Sequence, residues 1–270
     1  MVSNVSLDFV GVGVNRVVGA LSWDPIGGVA YGAQNAIALY DIDNCKVYST
    51  LYGHSGQVNF TLWIPQLFAD APDSTHRTRF LISGSADHTI RVWCVSFPVK
   101  NISAATSVFG AVSWRCLAVL QGHTAALTAA ATHPLPLKEG GGVLLVSCSS
   151  DRELLVHRFV PIISSSSSSP SSSSFPPPSG ETIADAFGSW ILDQKLDVGV
   201  RVQHSLALTH VPHHPDQLLL ATGGTDSMVR LWIRKPGSLD LSSDPELVSG
   251  NATALFAPRA WFQAKPAAVL

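Results

Sequence analysis

One spacing occurs three times in this chain. Ser83, Asp87 and Trp93 stand at intervals of four and six; Ser147, Asp151 and His157 repeat those intervals, and so do Thr222, Asp226 and Trp232. The surroundings repeat too. Leu81, Leu145 and Leu220 stand six places before each Asp, Ile90, Leu154 and Val229 three after, and Val92, Val156 and Leu231 five after. A polar turn centred on Asp and flanked by alternating apolar residues marks a β-hairpin. Three copies mean a repeat architecture, and that restricts the fold more than any other property of the chain.

A second marker accompanies the first. Gly53-His54 and Gly122-His123 each follow a short apolar strand ending in Leu51 or Leu120, and Val58 or Leu127 stands four places after the His. One unit therefore reads as apolar strand, Gly-His turn, apolar strand, loop, Asp-centred hairpin. Four short strands per repeat suit one blade of a β-propeller. A degenerate copy lies at 21–42, with Gln34 in the place of Asp87 and Tyr40 in the place of Trp93. The last hairpin, 218–233, has no Gly-His before it; alignment puts the missing dipeptide near Val200-Arg201. The predicted fold is all-β, an incomplete propeller of three to four four-stranded antiparallel blades, with units at about 9–42, 43–95, 112–160 and 191–234.

The units are spaced wider than the roughly 40–45 residues of an ordinary propeller blade, and the excess falls in insertions at 98–111 and 161–190. Within the second, 164–179 holds 11 Ser and 4 Pro in 16 residues, a composition with almost nothing to bury that predicts a disordered loop on the propeller rim. The tail 236–270 is irregular. It ends on Ala268-Val269-Leu270, the tripeptide that precedes Gln121-Gly122-His123, which predicts an array cut between blades.

Apolar residues make up 46% of the chain and charged residues 13%, about half the usual share of roughly 25%. So little charge predicts surface covered by a partner or by sequence missing from this chain; the missing blades leave open strand edges and apolar faces, which predict an isolated chain that aggregates, dimerises or needs a partner. A net charge of -2 gives no attraction for nucleic acid or membranes. Cys45, Cys94, Cys116 and Cys148 form no C-x-x-C pair and read as small hydrophobes among strand residues. The N-terminus shows no basic segment followed by an apolar core, and no run of 18 apolar residues occurs. The sequons at Asn4, Asn59, Asn101 and Asn251 then read as chance matches, and a reduced, intracellular compartment fits best.

Each unit offers a Ser, a His and an Asp, the ingredients of a hydrolase triad. Repetition argues for structure instead, because an enzyme needs one site in one cleft, and no G-x-S-x-G elbow is present. If the Gly-His and Asp turns share one end of a blade, the carboxylate can accept from the imidazole, the imidazole can meet the Ser hydroxyl, and the hydroxyl can meet the indole N–H. On this reading His54, Ser83, Asp87 and Trp93 form the complete set. In His123, Ser147 and Asp151 the indole is replaced by His157, which offers a donor but less apolar area, and Thr222, Asp226 and Trp232 lack the first His. No catalytic, cofactor or metal residue is assigned. His204, His210, His213 and His214 crowd together, yet His213-His214 lies between Pro212 and Pro215 in a loop-like stretch without Cys or a well-spaced carboxylate. Gly11-Val12-Gly13 lacks the third glycine and the Lys of a phosphate loop. Trp63, Trp114, Trp190 and Trp261 lie outside the motif and read as packing residues.

The unit resembles a WD repeat in which Asp does not follow the final Trp. The opening run from Gly11 through Asn15-Arg16, Leu21-Ser22-Trp23 and Val29 to Tyr40, together with Leu51 to Trp63, resembles the Elongator complex protein 2 family. So does the degenerate stretch Ser205 to Leu208 with Val211-Pro212, leading into Leu219 to Trp232. The resemblance covers about 9–95, 114–160 and 197–234. It implies a non-catalytic scaffold from a protein of two joined WD-repeat propellers, of which this chain matches about half of the first. It further implies an assembly with a large first subunit and a catalytic third subunit that modifies wobble uridines of tRNA and is linked to transcription elongation. The implied location is the cytoplasm with some nuclear presence. The competing expectations are a WD-repeat adaptor of another intracellular complex and a propeller hydrolase.

Overall fold

A computed structural model describes residues 13–42, 44–64, 76–98, 112–135, 142–161, 188–198, 201–211, 214–234 and 261–263, the side chains of 214–216 and 261–263 excepted. Every regular element among these residues is a strand, and the strands form four antiparallel meanders of four consecutive strands each. The first sheet holds β1 (Leu21–Asp24), β2 (Gly28–Ala33), β3 (Ala36–Asp41) and β4 (Lys46–Leu51). The second holds β5 (Val58–Ile64), β6 (His76–Ser85), β7 (Ile90–Pro98) and β8 (Ser113–Leu120). The third holds β9 (Leu127–Pro134), β10 (Val143–Ser149), β11 (Glu153–Pro161) and β12 (Gly188–Asp197). The fourth holds β13 (Gln203–Val211), β14 (His214–Gly224), β15 (Val229–Arg234) and β16 (Trp261–Gln263). The expected all-β propeller architecture is what the chain adopts.

Burial explains which strands read as unbroken apolar runs. In β7, Trp93, Val95 and Phe97 pack against the first sheet while Ile90, Val92 and Cys94 pack against the third. A strand covered on both faces has no polar alternation to show. The rim strand β8 is half open, and none of its residues is fully buried. A third core joins the remaining sheets: Leu144, Val146, Leu154 and Val156 meet Leu218, Leu220 and Trp232.

The sheets are out of phase with the sequence units by one strand. The apolar strand before each Gly-His belongs to the preceding sheet, since β4 pairs with β3 and β8 with β7. The Gly-His link thus carries the chain from the rim of one sheet to the inner strand of the next. Two register shifts recur. The third and fourth strands slip between Leu39/Tyr40, Val92/Trp93 and Val156/His157, which places Tyr40, Trp93 and His157 at one equivalent position. On the inner strands, Asn59, Thr128 and His204 are the residues that the pairing skips. Bulges of this kind re-aim a side chain. Here they send Asn59 Nδ2 to the Leu127 carbonyl at 2.7 Å and Thr128 Oγ1 to the Gln203 carbonyl at 2.6 Å, each in the next sheet. Asn15 Nδ2 reaches the Val58 carbonyl in the same way at 2.9 Å. Inner strands are therefore clasped sheet to sheet by equivalent hydrogen bonds.

Several sequence readings change here. Of the cysteines, Cys94 and Cys148 are buried as expected, whereas Cys45 and Cys116 are exposed. Cys45 occupies a turn with φ 52 and Cys116 an outward position on the rim strand β8. Gln34 does not stand for Asp87: the first hairpin turns in two residues, and Gln34 has the positive φ that His88, Arg152 and Ser227 have one place after each Asp. His214 opens β14 instead of lying in a loop. Trp63 is buried, Trp114 stacks edge-on against Trp93 with centroids 5.8 Å apart, and Trp190 leans on Phe159 at 5.4 Å. The insertion 98–111 beyond Pro98, the Ser/Pro segment 164–179, Gly11-Val12, Pro212-His213, the sequons at Asn4, Asn101 and Asn251, and the closing Ala268 to Leu270 lie outside the described residues.

Candidate functional site

Local side-chain chemistry builds each Asp turn. Asp87 Oδ1 accepts from the Thr89 amide at 3.0 Å, Asp151 Oδ1 from the Glu153 amide at 3.0 Å and Asp226 Oδ1 from the Met228 amide at 3.2 Å. An Asp that bonds its own backbone two residues on closes a tight turn without help from the rest of the fold. Ser85 and Ser149 add a hydroxyl under the Asp87 and Asp151 amides at 3.1 and 3.2 Å. The Asp87 and Asp151 turns leave Oδ2 facing the incoming Gly-His link, whereas Asp226 Oδ2 accepts from Arg230.

In the second sheet the predicted set comes together in full. His54 Nδ1 lies 2.9 Å from Asp87 Oδ2, His54 Nε2 lies 2.8 Å from Ser83 Oγ, and Trp93 Nε1 donates to Ser83 Oγ at 2.8 Å. An ionised carboxylate only accepts, so Nδ1 carries the proton and Nε2 receives the Ser83 hydroxyl. The chain of donors then runs Trp93 to Ser83 to His54 to Asp87 without a gap. Thr89 Oγ1 completes the carboxylate, donating to Oδ1 at 2.7 Å, and the Ser55 amide donates to Oδ2 at 2.9 Å. Gly53 lets the link pass over this stack, since a Cβ there would stand 3.0 Å from the Trp93 ring and 2.9 Å from Arg91 Nη1.

Electrostatics agrees with neutral imidazole and ionised carboxylate. Burial pushes the His54 affinity for a proton down, against the opposing pull of Asp87. Burial alone would raise the Asp87 carboxyl, but hydrogen bonds from Thr89 and His54 outweigh it and hold the group well below the usual carboxylate range.

The third sheet keeps two of the three side-chain links. His123 Nδ1 lies 2.8 Å from Asp151 Oδ2 and His123 Nε2 lies 3.0 Å from Ser147 Oγ. Burial lowers His123, and hydrogen bonds from the Thr124 amide and His123 lower Asp151 against its burial. His157 takes the place of the indole but makes no hydrogen bond to Ser147. Its Nδ1 is buried without a partner, and burial, with His123 nearby, pushes its pKa down to about 4. The donor expected of this imidazole is not delivered to Ser147.

In the fourth sheet Trp232 Nε1 reaches Thr222 Oγ1 only at 3.4 Å, and Asp226 turns to Arg230, which holds its carboxyl below the usual range. Strand register matches Gln203 with Val58 and Leu127. Counting back four places puts the missing His at Gly199, two residues before the dipeptide position read from the sequence. Gln203 fills the inner position with a fully buried side chain whose Oε1 has no partner.

The Ser-His-Asp geometry of the second and third sheets matches a hydrolase triad in its distances, but it lacks access. Ser83 and Ser147 are 0% exposed, and Ser83 Oγ already has the Trp93 indole and the His54 ring as hydrogen-bond partners. The arrangement can hold a proton in place; it cannot receive a reactant. What sequence reasoning missed is the polar neighbourhood: Thr89 beneath the carboxylate and the sheet-to-sheet donors Asn15, Asn59 and Thr128. The one local signal for Asn59 and Thr128 is a polar residue directly after the apolar position four beyond each His.

Four sheets of this topology, three of them carrying Asp-turn hairpins, define a WD-repeat β-propeller protein. The family model "WD domain, G-beta repeat" matches residues 45–94 and 198–232. The chain is similar to Elongator complex protein 2 of Arabidopsis thaliana, 31% identical over 83% of this chain and 23% of the relative. It is likewise similar to the proteins of that name from Dictyostelium discoideum, at 27% over 86% of the chain and 23% of the relative, and Danio rerio, at 28% over 83% and 21%. These relatives bear out the resemblance read from the opening residues. The matched region spans under a quarter of their length.

Proposed function

We propose that the chain is part of a non-catalytic WD-repeat scaffold in an Elongator-type complex. The observation that carries this reading is its similarity, over most of its length, to proteins named Elongator complex protein 2. The closed, buried Trp93-Ser83-His54-Asp87 chain supports the absence of chemistry, since its one nucleophile is sealed from substrate. In this reading the scaffold sits beside a large first subunit and a catalytic third subunit and supports modification of tRNA wobble uridines, with a link to transcription elongation. It works in the cytoplasm with a nuclear pool. It contacts proteins, not nucleic acid directly, through loops at the blade ends, where propellers present variable surfaces on a rigid frame.

The test is purification of the tagged full-length protein from its own cells. Recovery of a radical-type acetyltransferase subunit, with loss of wobble-uridine modification when the gene is deleted, is the expected result. Recovery of a different assembly would overturn it in favour of a general WD-repeat adaptor. Esterase or peptidase turnover abolished by Ser83→Ala would overturn the non-catalytic reading.

A further inference from the structure

The three seams between sheets follow one packing rule. The first strand of a sheet seats on the first two strands of the sheet before it: β5 on β1 and β2, β9 on β5 and β6, and β13 on β9 and β10. Register identifies the pair that receives it, Ser22 with Ala30, Leu62 with Ile82, and Ala131 with Val146. The small first pair takes Thr61 and Trp63, the large second pair takes Ala130, and the third takes Leu206 and Leu208. Close packing across a seam requires such compensation of large by small.

The fourth sheet presents a receiving pair of its own. Ala207 pairs with Ala221 in the equivalent place, on the face turned away from the third sheet, and Ala207 is exposed. On the same face Val229 takes the place of the buried Ile90 and is 55% exposed. The first sheet presents the opposite half. Leu21 and Trp23 stand on β1 where Thr61 and Trp63 stand on β5. Trp63 is 7% exposed in its seam, but Trp23 is 60% exposed. Among the described residues no strand of the fourth sheet is packed along the first sheet, and the cluster of Tyr31, Ala38 and Tyr40 beside Trp23 draws on the first sheet alone.

We propose that a second copy of this chain seats Leu21 and Trp23 of its first sheet on Ala207 and Ala221, and that the same contact made in return closes two chains into a ring of eight sheets. Size selects this occupant: two alanines leave room for an indole and a leucine, the large-on-small arrangement of the first and third seams. The polar clasps continue in the same series. Each runs to the carbonyl just before the next donor, from Asn15 to Val58, from Asn59 to Leu127 and from Thr128 to Gln203. His204, exposed and skipped by the pairing, stands in the donor's place of the fourth sheet. The series assigns it the Val14 carbonyl, just before Asn15, of the second copy. A head-to-tail contact needs closure to stop growing, and eight four-stranded sheets lie within the range of closed propellers.

The experiment is sedimentation velocity of the 270-residue chain across a hundredfold range of concentration. A discrete species of twice the 28.6 kDa chain mass is expected, with nothing larger. Trp23→Glu and Ala207→Glu each block one half of the seam and should each be monomeric with an unchanged circular dichroism spectrum. Mixed in equal amounts they should form a heterodimer, since each keeps the half that the other lacks. Trp23→Ala, which adds no charge, should weaken the dimer at least tenfold and serves where a Glu variant fails to fold. A monomeric unsubstituted chain would give these faces to another occupant and overturn the proposal. So would growth beyond the dimer, a dimer that survives either Glu substitution, a mixture that stays monomeric, or unchanged affinity in Trp23→Ala.

Discussion

The second and third sheets solve one problem with different completeness. In the second, a carboxylate, an imidazole, a hydroxyl and an indole satisfy one another in an unbroken series. In the third, the series stops at Ser147, and His157 sits in the indole's place with a buried nitrogen unsatisfied. The difference separates what the hairpin needs from what the sheet contact needs. Asp151 still closes its turn and still receives His123, so the hairpin survives without the indole. What is lost is a large side chain wedged between sheets and the donor that fixes the hydroxyl. The fourth sheet extends the comparison: Trp232 remains, the histidine is gone, and Asp226 is spent on its own hairpin through Arg230.

The comparison breaks most visibly at the indole. Trp93→Ala should cost about 3–5 kcal/mol, as for large buried aromatics generally, since Trp93 is fully buried and joins two sheets. His157→Ala should cost clearly less, because no bond is lost. Urea unfolding of both variants reads the difference, and equal losses would put the two sheets on one footing.

Acid sharpens it next. His54, His123 and His157 all have folded-state proton affinities pushed below the ordinary histidine value of about 6.5. The unfolded chain then binds more protons in the window between folded and unfolded values, so stability falls as pH drops below about 6.5. For His157 the window reaches down to about 4, which corresponds to a loss of up to about 3 kcal/mol. Below about 3.9 the depressed Asp87 and Asp151 carboxyls add a second loss as they take up protons. His157→Gln should flatten the first part of the urea-midpoint profile between pH 7 and 5, and an unaltered slope would remove His157 from the account.

Smaller effects separate the Asp turns. Asp87→Ala strips the partner from a buried imidazole and should cost about 1–3 kcal/mol, whereas Asp226→Ala, without an imidazole behind it, should leave the unfolding midpoint nearly unmoved. Smallest is a repair: His157→Trp restores an indole donor to Ser147 and fills the seam, for a gain of about 1 kcal/mol if the seam accepts the volume. A loss in thermal midpoint would show that the third sheet has closed around the smaller ring.

The Asp turns were legible in the sequence because their chemistry is local: Asp87 bonds Thr89, two residues away, and the flanking residues alternate in register with it. The partnership of His54 with Asp87 was legible because the repeat printed it twice. What escaped depends on how sheets meet. The strand ending in Leu51 belongs to the first sheet because it pairs with Ile37, a choice that spacing alone does not make. The clasps from Asn59 and Thr128 arise from bulges, whose one trace in the sequence is the polar residue directly after Val58 and Leu127. Asp193 gave no signal either: it lies between Arg158, 3.1 Å away, and Arg234, 3.7 Å away, joining the third sheet to the fourth in a buried ion cluster. His157 was placed correctly and given too much to do, since the reach of a side chain across a sheet is a tertiary quantity.

Ser83→Ala tests the account most directly. The substitution removes one hydroxyl, leaving the Trp93 N–H and His54 Nε2 buried without a partner, which should lower stability by about 1–3 kcal/mol. The account predicts a lower urea midpoint together with unchanged recovery of the assembly at temperatures where the variant stays folded. An unchanged midpoint accompanied by loss of an activity would contradict it, for the buried hydroxyl would then be a reactant and not a joint.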